Sequence, residues 1–300
     1  MSLPTLADVA VGTPITRDLV SFVPVYLPDS RPAPIDPSTE HVVVTEAESA
    51  TVPTITIANP GDRPVLFVEG ETVRGGQQDR TFNVSVLVPA GAELACPVTC
   101  VERGRWGGER RFRAEKHYAT RRVRRAKAWS VAANLDAGDL KRADQGLVWD
   151  TVSAELHRSG LAAPTDALLA LDARLAAHSD LGRVAADLAA RGPLPGQRGI
   201  VITHGGRIVA ADVFATPELL AAHWSALVRG ALLDAPRAVS GRPSLDRAVR
   251  FLRKFATADA RRAVGVGLGT EHHVANHKVV GQALVWDDTL VHASAFALAA

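Results

Sequence analysis

Val65-Leu-Phe-Val-Glu-Gly-Glu-Thr-Val-Arg-Gly-Gly-Gln-Gln-Asp-Arg-Thr-Phe-Asn-Val-Ser-Val-Leu-Val88 is the stretch on which the reading of the fold turns. Its two ends, Val65–Glu71 and Thr81–Val88, are short runs rich in Val, Phe and Thr, and the residues between them are polar and glycine-bearing. Such runs read as strands, because β-branched and aromatic side chains fit a pleated, half-buried surface. Working outward, Ser21–Leu27, His41–Thr45, Thr54–Ala58 and Glu93–Glu102 have the same character and are separated by turns such as Asn59-Pro-Gly-Asp62. Short strands at this spacing predict a sandwich- or barrel-like β unit over residues 1–112.

Beyond residue 112 the periodicity changes. Glu115–Ala133, Leu147–Arg158 and Thr165–Ala190 carry apolar residues at helical spacing, and Gly192-Pro193 is a helix stop, so 113–196 reads as a helical segment. The stretch 197–300 is mixed. Gly199–Thr203 and Arg207–Phe214 flank the turn His204-Gly-Gly206, Thr216-Pro217 opens a helix, and a second helix runs from Ser244 to about Ala256. Ala263–Gly269, Lys278–Asp287 and Thr289–Ala297 read as closing strands, with Glu271–His277 as a loop. The fold class is therefore α+β: an N-terminal β-rich unit, central helices and a C-terminal mixed antiparallel α/β segment, as three segments or one compact domain.

At 300 residues and 47% hydrophobic content the chain can bury a core unaided. No run approaches a membrane span, and Met1–Asp8 lacks the basic and apolar regions of a signal peptide, so a cytoplasmic protein without membrane contact is expected. Cys96 and Cys100, four residues apart on a strand, lie roughly 13 Å from each other. That exceeds the roughly 7 Å that a disulfide spans, so both are expected as reduced thiols. The net charge is +2, yet Arg103–Lys127 holds eleven cations against Glu109 and Glu115, a local charge of +9 that leaves −7 for the rest. This asymmetry suggests either an anionic ligand or a basic helix face packed on acidic neighbours. Aromatic residues interleave poorly with the run, so nucleic acid is not the expected partner.

Two segments concentrate chemistry. In Val65–Arg80, strand alternation would put Glu69 and Glu71 on one face, where paired carboxylates could divide acid and base roles or hold Mg²⁺. Arg74, Gly75, Gly76, Gln78 and Arg80 then have the composition of an anion-holding loop, without the Walker or dinucleotide spacing. The other reading is a solvated hairpin in which the two glutamates pair with Arg74 and Arg80. In Pro97–Trp106, Cys100 and Glu102 share a strand face, and Arg105-Trp106 could stack a base and grip a phosphate. Cys100 is a candidate nucleophile or a small core residue. His272, His273 and His277 lack a His-Glu-x-x-His pattern, and no metal site is expected there.

The combination Val68-Glu-Gly-Glu71, Gly75-Gly-Gln-Gln-Asp-Arg80 and Pro97-Val-Thr-Cys-Val-Glu-Arg-Gly-Arg-Trp106 resembles the bacterial ARPP domain family. That domain is named for its association with ADP-ribosylglycohydrolases and rhodanese-like phosphatases. Further matches fall in Gln145–Trp149, Gly206–Phe214 and Leu290–Phe296, so the resemblance covers nearly the whole chain. It implies handling of an NAD-derived or ADP-ribose-like nucleotide and marks Glu69, Glu71, Gly75, Gly76, Gln78, Arg80, Cys100, Glu102, Arg105 and Trp106 as the matched residues. Two functions follow from these readings. One is a hydrolase or transferase acting on a phosphorylated ribose or nucleotide, with Glu69, Glu71, Cys100 or Glu102 as its catalytic groups. The other is a non-catalytic nucleotide- or protein-binding module.

Overall fold

The computed structural model describes residues 3, 6, 8–28, 34–113, 115–137, 141–161, 165–177 and 179–298. Most of the Met1–Asp8 stretch, and His178 within the expected long helix, lie outside the described residues. In chain order the strands begin with β1 (Ala10–Val11), β2 (Ile15–Arg17), β3 (Val20–Tyr26), β4 (Val43–Thr51), β5 (Thr54–Ala58) and β6 (Val65–Phe67). They continue as β7 (Glu71–Val73), β8 (Arg80–Phe82), β9 (Val86–Val88), β10 (Glu93–Cys100), β11 (Glu102–Arg103) and β12 (His117–Tyr118). Helices α1 (Arg121–Asp136) and α2 (Gln145–Arg158) precede β13 (Asp166–Ala167), α3 (Leu169–Ala177) and α4 (Ser179–Arg191). The chain then runs β14 (Gly199–His204), β15 (Arg207–Phe214), α5 (Pro217–Leu233), α6 (Leu245–Ala256), β16 (Arg261–Val264), β17 (Thr270–Ala275), β18 (Val279–Trp286) and β19 (Thr289–Ala297). The protein is thus mixed α+β with antiparallel sheets, and among the described residues no sheet closes into a barrel.

The chain divides into two compact units. One comprises Met1–Ala33, Val184–Val264 and Gly269–Ala300; the other comprises Pro34–Arg183 and Gly265–Leu268. The first is built on a nine-stranded sheet in the order β1-β3-β14-β15-β19-β18-β17-β16, with β2 also on β3. Val20–Tyr26, close in sequence to the strands at Val43–Ala58, pairs with Gly199–His204. One sheet face carries Val201, Ala211, Val213, Val274, Ala283, Ala293 and Ala295, which bury Ala248, Leu252, Phe255 and Ala256 of α6. Those helix positions recur at helical spacing, which is why the helix docks by one apolar stripe. On β15, Phe214 stacks on His223 of α5 with ring centroids 5.2 Å apart. Helix α5 is opened by Thr216, whose hydroxyl accepts from Leu219 N–H, and by Pro217. Asp287 and Asp288 both have positive φ, 49° and 54°, as the tight turn joining β18 to β19 requires.

The second unit holds a six-stranded sheet in the order β12-β7-β8-β10-β5-β4 and the small pairs β6-β9 and β11-β13. Two expected helices are cut by strand pairing. The Glu115–Ala133 helix begins only at Arg121, because His117–Tyr118 adds to the sheet edge at Glu71–Thr72. Thr165–Ala190 yields β13 paired with Glu102–Arg103, then the separate helices α3 and α4. Glu271–His277 departs from its loop reading: β17 pairs with both β16 and β18, so period-two alternation sends His272 and His273 to opposite faces.

Candidate functional site

Gly70 sets the geometry of the first motif. Its φ of +81° ends strand pairing after Phe67 and restarts it at Glu71, and a Cβ there would stand 2.5 Å from Arg124 Nε. The alternation that would place Glu69 beside Glu71 is therefore broken at the residue between them. Glu69 is fully buried. Its Oε1 accepts from Arg124 Nε at 2.9 Å and Nη2 at 2.8 Å, and its Oε2 from Lys127 Nζ at 2.7 Å. Lys127 Nζ also donates to the Asn83 carbonyl at 3.1 Å. Burial pushes the Lys127 amine down and Glu69 pulls it back up. The carboxylate and two cations form a buried ion triad rather than an acid or base with a free lone pair. Glu71 accepts from Val68 N–H at 3.1 Å, and burial raises its carboxyl against the opposing pull of Lys116.

The loop from Arg74 to Arg80 is held by acceptors that sequence reading passed over. Asp79 Oδ1 accepts from Gly75 N–H at 3.0 Å, and Glu46 Oε1 accepts from Gln77 N–H at 2.9 Å. Arg80 is buried on β8, donates to the Gln78 carbonyl at 3.0 Å and side chain at 3.3 Å, and lies 3.6 Å from Glu46. Gln78 in turn donates to the Glu102 carbonyl at 2.8 Å. Gly76, at φ +56°, has no room for a Cβ, which would fall 2.3 Å from Phe112 Cζ.

Arg105 closes the knot. Its Nη1 donates to the carbonyls of Gly76 at 2.9 Å and Gly107 at 2.8 Å, and its Nη2 to Gly75 O and Asp79 Oδ1, both at 3.3 Å. The same guanidinium pairs with Glu102 Oε2, which also accepts from Asp79 N–H at 3.1 Å, while Glu102 Oε1 accepts from Thr165 Oγ1 at 3.2 Å. Burial alone would raise the Glu102 carboxyl, but the Arg105 and Asp79 donors hold it below its ordinary value. The result is a carboxylate that accepts three hydrogen bonds from within the knot. Trp106, the next residue after Arg105, is 58% exposed.

Cys100 ends β10 opposite Arg80 and is fully buried, its backbone tied by Gln145, which donates to Cys100 O at 2.8 Å and accepts from its N–H at 2.9 Å. Burial raises the Cys100 thiol, outweighing the Arg80 charge, and pushes Cys96 up to about 12. Both cysteines are free thiols. Reactive thiolates sit in exposed, electropositive surroundings, so this geometry suits a core cysteine.

The structure therefore brings together Arg74, Gly75, Gly76, Gln78, Arg80, Cys100, Glu102, Arg105 and Trp106, and joins Asp79, Glu46, Thr165 and Gln145 to them. Glu69 and Glu71 are engaged elsewhere, by α1 and by the turn at Val68. The basic run is divided in the same way. Arg124 and Lys127, three apart on one helix face, turn inward onto Glu69, and Arg122 reaches Glu155 at 3.3 Å. That i, i+3 spacing was the signal available for the two inward cations. Among the described residues, no group of three or more His, Cys, Asp or Glu side chains is arranged to hold a metal ion.

A family model described as ARPP-1, the ARG and Rhodanese-Phosphatase-superfamily-associated Protein domain, matches residues 8–296. The chain belongs to the ARPP-1 family. The ARPP-1 match takes in both compact units, so the Gly75–Trp106 knot and the nine-stranded sheet are parts of one family domain. Curated proteins and solved structures give no match. ARPP-1 is defined by association with other superfamilies, and the association specifies no reaction. Among the described residues no helix is long and apolar enough to cross a membrane.

Proposed function

We propose that the protein is a non-catalytic binding module for a phosphorylated, nucleotide-like small molecule, held on the outer side of the Gly75–Trp106 knot. The single observation behind this reading is exposed Trp106 in a knot whose segments also carry the exposed Arg74, Arg111 and Arg113. Arg113 N–H donates to the Arg74 carbonyl at 2.8 Å, Gly75 bridges to Phe112, and Gly107 N–H donates to Gln77 O at 3.2 Å. These backbone bonds bring together the segments that carry Arg74, Arg111, Arg113 and Trp106, and the Arg74 charge also acts on the Asp79 carboxyl. Among the described residues Arg74, Arg111 and Arg113 are exposed and form no salt bridge. A Trp face stacks a base, and free guanidinium groups grip phosphate.

The knot beneath supports binding over catalysis. Glu69 is paired with two cations, Glu71 and Cys100 are buried, and Glu102 accepts three hydrogen bonds within the knot, whereas a general acid or base must reach the reacting atom. Arg105, read from sequence as a phosphate ligand, spends its Nη donors on backbone carbonyls and carboxylates. Arg80, read the same way, is fully buried, with Nη1 on the two Gln78 oxygens and with Nε and Nη2 making no hydrogen bond among the described residues. Their part in this reading is to hold the loop rigid.

ADP-ribose and NAD, each with and without Mg²⁺, provide the test. The expected result is a saturable rise in melting temperature and quenching of Trp fluorescence with the ligand recovered unchanged. Trp106→Ala and Arg74→Ala should each weaken binding about tenfold while leaving the melting temperature of the free protein in place. Turnover that Glu71→Gln abolishes would instead establish the enzyme reading, and binding untouched by Trp106→Ala would remove the site.

A further inference from the structure

A concave feature of the unit built on the nine-stranded sheet is lined by residues of that unit alone. It is a cleft of about 860 Å³ between the β14–β15 turn, the segment leading into α6, the outer face of α6 and the start of β18. Six cations line it, Arg207, Arg242, Arg247, Arg250, Lys254 and Lys278, and among the described residues no carboxylate does. They come from four places in the chain. Arg207 follows the Gly205-Gly206 turn, Arg242 precedes the helix cap, and Lys278 enters β18. Arg247, Arg250 and Lys254 recur every three to four residues on the helix face opposite the one that packs on the sheet.

Among the described residues none of the six forms a salt bridge, and all six are exposed. The one side-chain hydrogen bond in the group is Arg247 Nη1 to Gly206 O at 3.1 Å, which fixes the helix start against the hairpin turn. Ser244 caps α6 by accepting from Arg247 N–H at 3.4 Å, so the positive end of the helix dipole opens at the cleft. The floor is apolar: Ile208, Phe251, Val279 and Ala297.

Six like charges around one concavity give it a positive field that attracts an anion of matching charge. The volume is that of a small-molecule site, and an apolar floor under a cationic rim fits a molecule with one flat apolar end and one highly charged end. We infer that this cleft is a second ligand site, which takes a small polyphosphorylated molecule of the nucleoside di- or triphosphate class. The phosphates lie against Arg247, Arg250 and Lys254, and the base lies on Phe251 and Ile208. The inference is independent of the Trp106 surface, which lies in the other unit.

Calorimetric titration of the full chain with ATP and with ADP tests it, at about 50 and about 300 mM salt. ATP should bind more tightly than ADP, and both should weaken with salt. The double variant Arg250→Glu/Lys254→Glu, whose side chains are exposed, should lose at least about tenfold in ATP affinity with an unchanged urea midpoint, while Trp106→Ala retains ATP binding here. Three results would overturn the assignment: ATP affinity unchanged in the double variant, inorganic phosphate binding as tightly as ATP, or a single-stranded oligonucleotide binding more tightly than ATP. Failure of Trp106→Ala alone to alter any ligand would count against the knot and leave the cleft standing.

Discussion

Glu102 illustrates how one residue's role is settled by what donates to it. Arg105 and the Asp79 amide hold its carboxyl below the unfolded value of 4.5 despite partial burial. A depressed carboxyl contributes stability that is present above the unfolded value and lost as pH falls through the folded one. The stability difference between the wild type and Glu102→Gln should therefore be largest near neutrality and shrink on acidification below pH 4.5. Urea midpoints across that window read it out, and a difference that stays constant with pH would mean the Arg105 pair contributes nothing. Glu71 has the opposite sign: its raised carboxyl favours the fold at low pH and loses that contribution as the pH rises through its folded value. A strand pattern reports neither direction, since it assigns each glutamate a face of the strand without naming its donors.

At the scale of elements, the motif Val68–Glu71 serves to fasten helix α1 to the sheet. Glu69 meets Arg124 and Lys127 across 55 and 58 positions of sequence, and all three side chains are buried. Removing one member of a buried ion group leaves uncompensated charge, so Glu69→Gln should cost about 3–5 kcal/mol, seen as a lower urea midpoint. The double variant Glu69→Gln/Lys127→Met should recover part of that loss, because it also removes a stranded cation. An undisturbed midpoint in Glu69→Gln would return the motif to a solvated turn. Many of the strands were legible, as were the Thr216-Pro217 helix opening and the helix start near Ser244, because each depends on local residue chemistry, whereas the strands at His117–Tyr118, Asp166–Ala167 and Thr270–Ala275 were not. Helix α1 was placed several residues early: His117–Tyr118 carries helix-compatible residues but finds a free sheet edge at Glu71–Thr72. Tertiary pairing overrode propensity there, as it did at Asp166–Ala167.

For the whole molecule, the two thiols report on global opening. Cys96 and Cys100 are both fully buried on β10, a strand paired on one side with β5 and on the other with β8. An aromatic disulfide reagent should label neither in the native protein and both under unfolding denaturant, with labelling rates at low denaturant tracking cooperative opening. Rapid labelling of Cys100 alone in the native state would show that the knot opens locally and would reinstate that thiol as a reactive group. Charge is organised at this scale as well. Part of the conspicuous basic run at Arg103–Lys127 is spent inside the fold, whereas the six unpaired cations of the cleft are scattered from Arg207 to Lys278 and form no run in the sequence.

By itself the sequence determined the α+β class, most strand positions, the helix opening at Thr216-Pro217, the two unbridged cysteines and the neighbourhood of Gly75–Arg80 with Cys100–Trp106. These follow from residue type and short-range spacing, which act wherever the chain goes. Only the tertiary structure decided that Val20–Tyr26 joins the sheet of the last hundred residues, that Glu69 is an ion-paired core group, and that Arg80 and Arg105 grip the protein itself. It also decided that six distant cations line one cleft. The physical reason is common to all of these: a polar side chain's role depends on whether its partner is water, ligand or another part of the chain. That partner is fixed by contacts between residues many tens of positions apart.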